Sequence, residues 1–271
     1  MGILGQVPCR AGSVLGERVT TEGEGRGAEC RELRREADTQ SRRLGIHPAL
    51  SLISHLTPLC QDEPMASTMI FLHGPGQIPP NWQDVIGHIS PDRPMVAPWV
   101  KGLKPTDKEP FSMEMAAGEI ANLMELRGLE HADVIGFSLG GMVGLRAAAD
   151  YPAMIGRLVL ISTPVSPPVA TLKAQRRLLK LMPEARFTDV PKSMVLEAFD
   201  AYIAADVSAD LSRVRAKTLA VHAAGDPVGK ASAALLEQEI GAKILALPGN
   251  DPDLLARAPE ALAKAIEVFC A

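Results

Sequence analysis

From Thr68 onward the chain alternates short apolar runs with longer amphipathic stretches, and this rhythm limits its possible folds more than any other feature. Apolar runs at Thr68–Leu72, Met95–Ala97, Ala132–Phe137, Arg157–Ile161, Thr218–His222 and Lys243–Leu247 predict strands. The stretches Trp82–Ile89, Met113–Leu126, Leu139–Asp150, Ala231–Ile240 and Pro259–Phe269 predict helices. Strands that are apolar along their whole length belong in a sheet covered on both faces. Strand and helix in turn build βαβ units, so the expected sheet is mostly parallel and flanked by helices, an α/β class.

Two segments depart from the rhythm. Between Pro164 and Val214, proline clusters and helical patterns near Thr171–Leu181 and Pro191–Ala204 read as a small helical cap set above the sheet. Residues 1–64 contain no Phe, Tyr or Trp, and Glu17–Arg43 mixes Arg, Glu and Gly with few large apolar side chains. Such a stretch buries too little surface to offset its ordering entropy, so a disordered leader is expected. The run from Ala49 to Cys60 is more apolar and could form one short helix or strand. A start at Met65 is the alternative reading, because Met-Ala-Ser-Thr leads straight into the first strand.

The formal net charge of -4 is spread without long runs of one sign. Nothing in it suggests a basic nucleic-acid surface or a polybasic membrane anchor, so neither partner is expected. No run approaches the ~18 apolar residues of a membrane span. No basic region followed by an apolar core marks a secretory signal, so a cytoplasmic location is expected. Cys9, Cys30, Cys60 and Cys270 show no C-x-x-C spacing, and with His47 and His55 they form no zinc pattern. Reduced thiols and no metal are the expectation.

The strongest chemical signal is Gly136-Phe137-Ser138-Leu139-Gly140, a G-x-S-x-G between an apolar strand and a helix rich in small and apolar residues. That strand–turn–helix context is what a nucleophile elbow requires. A turn this tight leaves no room for side chains at Gly136 and Gly140. It presents Ser138 above the sheet and aims the Leu139 N–H, at a helix start, toward a developing oxyanion. A second motif, His73-Gly74-Pro75-Gly76, ends the first strand, and Gly225-Asp226 follows a later one. The order Ser138 before Asp226 suits a hydrolase of this kind. A dinucleotide fingerprint is not met, because Pro79 stands where its third glycine belongs.

These motifs, with Arg157–Thr163, Thr218–Asp226 and the ending at Pro259-Glu260, resemble the α/β-hydrolase superfamily, in particular small bacterial esterases, enol-lactonases and C–C hydrolases. The resemblance covers about residues 68–270. It implies an eight-stranded fold with the early strands reduced or absent. It also implies Ser138 as nucleophile and Asp226 as triad acid. The candidate oxyanion donors are Leu139, from the turn, and Gly76, while His73 and Gly74 are structural residues near the site. No cofactor is implied.

The chain departs from the family's pattern at three places. The loop Leu247–Asp253 has Pro252 where the family places its histidine, and no histidine follows His222. A serine without a base is a poor nucleophile. Of the others, His222 reads as a core residue, His73 as a brace of its loop, and His88 and His131 as surface residues. Asp251 or Asp253 could reach the vacant position, but a carboxylate is a weak base for a hydroxyl. Pro75, after His-Gly, offers no N–H to an oxyanion, which leaves Gly76. The family's Asp-x-x-Gly-x-Gly turn is replaced by Pro98–Gly102.

Two functions follow. One is a serine hydrolase of reduced or atypical activity on a small ester, lactone or related carbonyl compound. The other is a catalytically degenerate protein that binds a small apolar ligand, with Ser138 as a hydrogen-bonding group. A cofactor-free lyase or oxygenase is a minor third. The partner in each case is a small molecule, and the sequence does not fix the oligomeric state.

Overall fold

Each strand places alternate side chains on opposite faces of the sheet, and both faces are apolar. The computed structural model describes residues 67–166 and 168–271. In β1 (Thr68–Leu72), Ile70 and Leu72 enter one core while Met69 and Phe71 enter another. The same split recurs in β3 (Ala132–Phe137), with Val134 on one side and Ile135 and Phe137 on the other. In β4 (Ile155–Ile161), Leu158 and Leu160 oppose Val159 and Ile161. Two separate cores on one sheet explain why the strands read as continuous apolar runs.

With β2 (Met95–Val96), β5 (Lys217–Ala223) and β6 (Lys243–Leu247), the described residues form a six-stranded sheet in the order β2-β1-β3-β4-β5-β6, and every pair is parallel. The helices are α1 (Gln83–Ile86), α2 (Met113–Leu126), α3 (Leu139–Asp150), α4 (Val169–Leu181), α5 (Lys192–Ala204), α6 (Pro227–Ile240), α7 (Leu254–Arg257) and α8 (Pro259–Cys270). Helices α2 and α3 cover one face, and α7 and α8 with Trp82 and Val85 cover the other. Helices α4 and α5 pack together in the segment between β4 and β5.

Several boundaries differ from expectation, each for a local reason. The helix expected at Trp82–Ile89 is a 3-10 turn at Pro79–Trp82 followed by the short α1, because consecutive prolines set its start. The helix expected from Ala231 begins at Pro227, where Asp226 caps it and Pro227 takes the first helical position. Strand β4 begins two residues earlier than Arg157, because Ile155 pairs with Ala132.

Among the described residues no helix is long and apolar enough to cross a membrane. No group of three or more His, Cys, Asp or Glu among them is placed to hold a metal ion. The leader, the apolar run before Cys60, the start at Met65, Cys9, Cys30, Cys60, His47 and His55 all lie outside the described residues.

Candidate active site

Ser138 stands alone between the last residue of β3 and the first of α3, with φ 54° and ψ -120°. This conformation is unusual for a residue with a side chain and costs on the order of 1–3 kcal/mol. Its surroundings enforce it. The Ser138 N–H donates to the Ile161 carbonyl at 3.0 Å, while the Ser138 carbonyl accepts from Gly141 N at 3.0 Å. A Cβ on Gly136 would strike the Gly140 carbonyl and the Gly141 backbone. A Cβ on Gly140 would strike the carbonyls of Leu72 and His73 at the end of β1. The two glycines therefore let α3 start hard against the sheet, and Ser138 is left at the strand ends.

Ser138 lines a cavity of about 280 Å³. Pro75, Tyr202, Asp226, Pro252 and Asp253 share its wall. The Ser138 hydroxyl donates to the Tyr202 hydroxyl at 3.0 Å. Tyr202 comes from α5, is buried, and meets Phe199 edge-on at 6.4 Å between ring centroids. Burial pushes its phenol up to about 12; the bond with Ser138 pulls the other way, and the Asp226 charge adds to the rise. Sequence reading missed Tyr202. The available signal was its place on the buried face of a cap helix with Val195 and Ala198.

Asp226 follows β5 and reaches the same cavity, but its carboxylate is engaged at a helix start. Oδ1 accepts from Val228 N and Oδ2 from Gly229 N, each at 3.0 Å. These two amides are among those that a helix leaves unpaired.

The loop after β6 brings Pro252 and Asp253 to the wall. The Pro252 carbonyl accepts from Ser162 Oγ at 2.7 Å, and Ser162 itself has φ 45°. Asn250 folds instead against Gly225, where a Cβ would meet its side chain. Asp251 pairs with Arg257 at 2.9 Å. Its carboxyl is held below the usual range first by the Asp253 N–H and then by Arg257. Asp253 Oδ1 is enclosed without a hydrogen-bond partner.

Among the described residues no imidazole lines the cavity. His73 is fully buried, its Nδ1 bonded to the Gly74 carbonyl at 3.0 Å and its Nε2 accepting from Val100 N at 3.1 Å. Those partners fix a neutral ring with the proton on Nδ1, and burial lowers its pKa to about 4. The ring holds the loop after β1 to Val100, with Trp99 edge-on at 5.3 Å. His222 is buried, with Nδ1 at 2.8 Å from the Ala223 carbonyl. His88 and His131 are exposed.

The loop after β1 offers few donors. Gly74 N donates to Gln77 Oε1 at 3.0 Å and is already used. Pro75 has no N–H. Gly76, at φ 73°, is exposed and lies against Val195 of α5. Leu139 N is the first amide of α3 and has no acceptor within the helix by position. Gly76 and Leu139 each adjoin a residue of the cavity wall, Pro75 and Ser138 respectively.

A family model described as the alpha/beta hydrolase fold matches residues 67–193. The enol-lactonase of Burkholderia xenovorans LB400 superposes with a TM-score of 0.64 at 19% identity, covering 75% of this chain and 91% of that one. Pyrrolizixenacetamide deacetylase of Xenorhabdus hominickii is 30% identical over 96 residues, 34% of this chain and 36% of that protein. An uncharacterized protein of Mycobacterium tuberculosis is 27% identical over 96 residues, 35% of this chain and 28% of that one. The matches thus span about a third of these curated relatives.

Proposed function

We propose, from the premise that this chain is an α/β-hydrolase-fold protein, that its capped cavity takes a small ester, lactone or related carbonyl compound and hydrolyses it slowly through Ser138. The observation that carries this reading is the backbone of Ser138, held at φ 54° on the cavity wall by the packing of Gly136 and Gly140. Strain of this kind persists where the surroundings over-determine it, and it clusters at reacting residues. The enol-lactonase and deacetylase likenesses point to the same class of carbonyl chemistry.

In this reading Ser138 Oγ attacks the carbonyl carbon. The Leu139 N–H, with Gly76 as second donor, stabilises the oxyanion. Asp226 caps α6 and adds negative charge to the site. Among the described residues no imidazole lines the cavity, and binding with oxyanion stabilisation supplies about 10³–10⁴ over water. The 280 Å³ cavity suits a small substrate.

The Ser138–Tyr202 hydrogen bond favours one second reading. If that bond only satisfies both hydroxyls, the cavity binds a small apolar ligand and performs no chemistry. A fluorophosphonate probe and p-nitrophenyl acetate, applied to the full chain and to Ser138→Ala, separate the two. Labelling and slow turnover that vanish in the variant support the hydrolase. An unlabelled, folded protein whose hydrolysis matches the variant's supports ligand binding.

A further inference from the structure

We propose that the Tyr202 hydroxyl, delivered by the cap, is the proton acceptor of Ser138, so that the site works as a serine–tyrosine pair under alkaline conditions. The inference rests on Ser138 being the reacting residue. Three observations converge on it. Tyr202 OH lies 3.0 Å from Ser138 Oγ, within reach for direct proton transfer. Both hydroxyls line the cavity where a carbonyl carbon would sit. The loop after β6 brings Pro252 and Asp253 to the wall, and among the described residues no imidazole lines it.

The reactive form is the phenolate, since a neutral phenol accepts a proton poorly. The phenolate oxygen takes the Oγ proton as Oγ bonds to the carbonyl carbon, and the carbonyl π pair moves onto its oxygen. Collapse of the tetrahedral species breaks the bond to the alcohol oxygen, which receives the proton from Tyr202. The phenolate then takes a proton from water as that water attacks the acyl group. Ser138 leaves with that proton, and the carboxylic acid is released.

The groups around the phenol set its pH range. Ser138 and Asp226 act on it directly. Asp253 shares the cavity, and on the neighbouring α4 Arg176 is paired with Asp200 of α5 at 2.6 Å. Burial leaves the phenol near 12, so phenolate is scarce at neutral pH. The rate then climbs about tenfold per pH unit across the alkaline range.

The test uses the full chain and p-nitrophenyl acetate, with the Ser138→Ala rate subtracted at each pH. Tyr202→Phe, which keeps the buried ring, is expected to lower the Ser138-dependent kcat/KM about 10²-fold. A more acidic phenol, 3,5-difluorotyrosine placed at position 202, is expected to raise the rate near pH 8 by about tenfold. A purely structural hydroxyl would not produce that gain. Tyr202→Phe at or above the parent activity overturns the assignment, as does an inflection near the ordinary histidine value of about 6.5, which would identify an imidazole base. A Ser138-dependent rate that Tyr202→Phe leaves unchanged defeats this inference alone. No Ser138-dependent rate at any pH defeats the hydrolase reading and this inference together.

Discussion

Ser162 Oγ holds the Pro252 carbonyl at 2.7 Å, while the Ser162 N–H donates to Val221 O at 2.8 Å. One residue at the end of β4 thus ties β5 to the loop that follows β6. The bond to Pro252 uses a backbone carbonyl, so it survives a change of side chain. Pro252→His therefore puts an imidazole on the cavity wall without releasing the loop. We expect the Ser138-dependent kcat/KM for p-nitrophenyl acetate to rise about 10²-fold near pH 7.5. An unchanged rate in a labelled, folded variant would place the deficit in oxyanion stabilisation, where Pro75 has no N–H and Gly76 is the remaining donor of its loop.

Asp226 accepts two amide hydrogen bonds at the start of α6. Asp226→Ala is expected to cost about 1 kcal/mol in urea unfolding, and Asp226→Asn less, because the amide oxygen still caps. With no imidazole on the cavity wall among the described residues, Asp226→Asn should change Ser138-dependent turnover by less than about tenfold. A loss near 10⁴ would show that the carboxylate steers a catalytic base.

His73 links stability to pH. An unfolded histidine takes up its proton near 6.5, the buried ring only near 4. Between these values the unfolded chain binds more protons, so the contribution is complete above the window and is lost as pH falls through it. The gap corresponds to roughly 3 kcal/mol. Urea midpoints taken between pH 7 and 4 should fall more steeply for the parent than for His73→Gln, after both are normalised to neutral pH. Parallel curves would show that other groups govern acid sensitivity.

Among the described residues the cavity wall carries Asp226 and Asp253 and no Lys, Arg or His. Like charge disfavours an anionic substrate. Esters bearing a free carboxylate in the acyl chain are expected to show KM at least about tenfold above neutral esters of equal length. Asp253→Asn should narrow that difference. Equal KM values would mean that the carboxylate of the substrate stays in solvent.

The sheet was legible because its evidence is local. Two-sided burial imposes continuous apolar runs, and all six runs from Thr68 to Leu247 are strands. Helix starts were less legible where caps decide them, as at Asp226 and at the Pro79-Pro80 turn. The G-x-S-x-G pattern carried its own geometry, since Gly136 and Gly140 stand where backbone leaves no space.

The surroundings of Ser138 depend on residues far apart in the chain. Tyr202 is sixty-four positions away and reaches Ser138 through a cap helix; Pro252 and Ser162 meet across ninety positions. The order of residues along the chain carried the parallel α/β sheet, the tight turn that bears Ser138, and a loop after β6 that holds Pro252 and no histidine. Burial periodicity and glycine sterics act over a few residues, so a linear reading captures them. Packing between elements decided that Tyr202 contacts Ser138 and that Asp226 caps α6, because hydrogen-bond partners are chosen there and not by spacing along the chain.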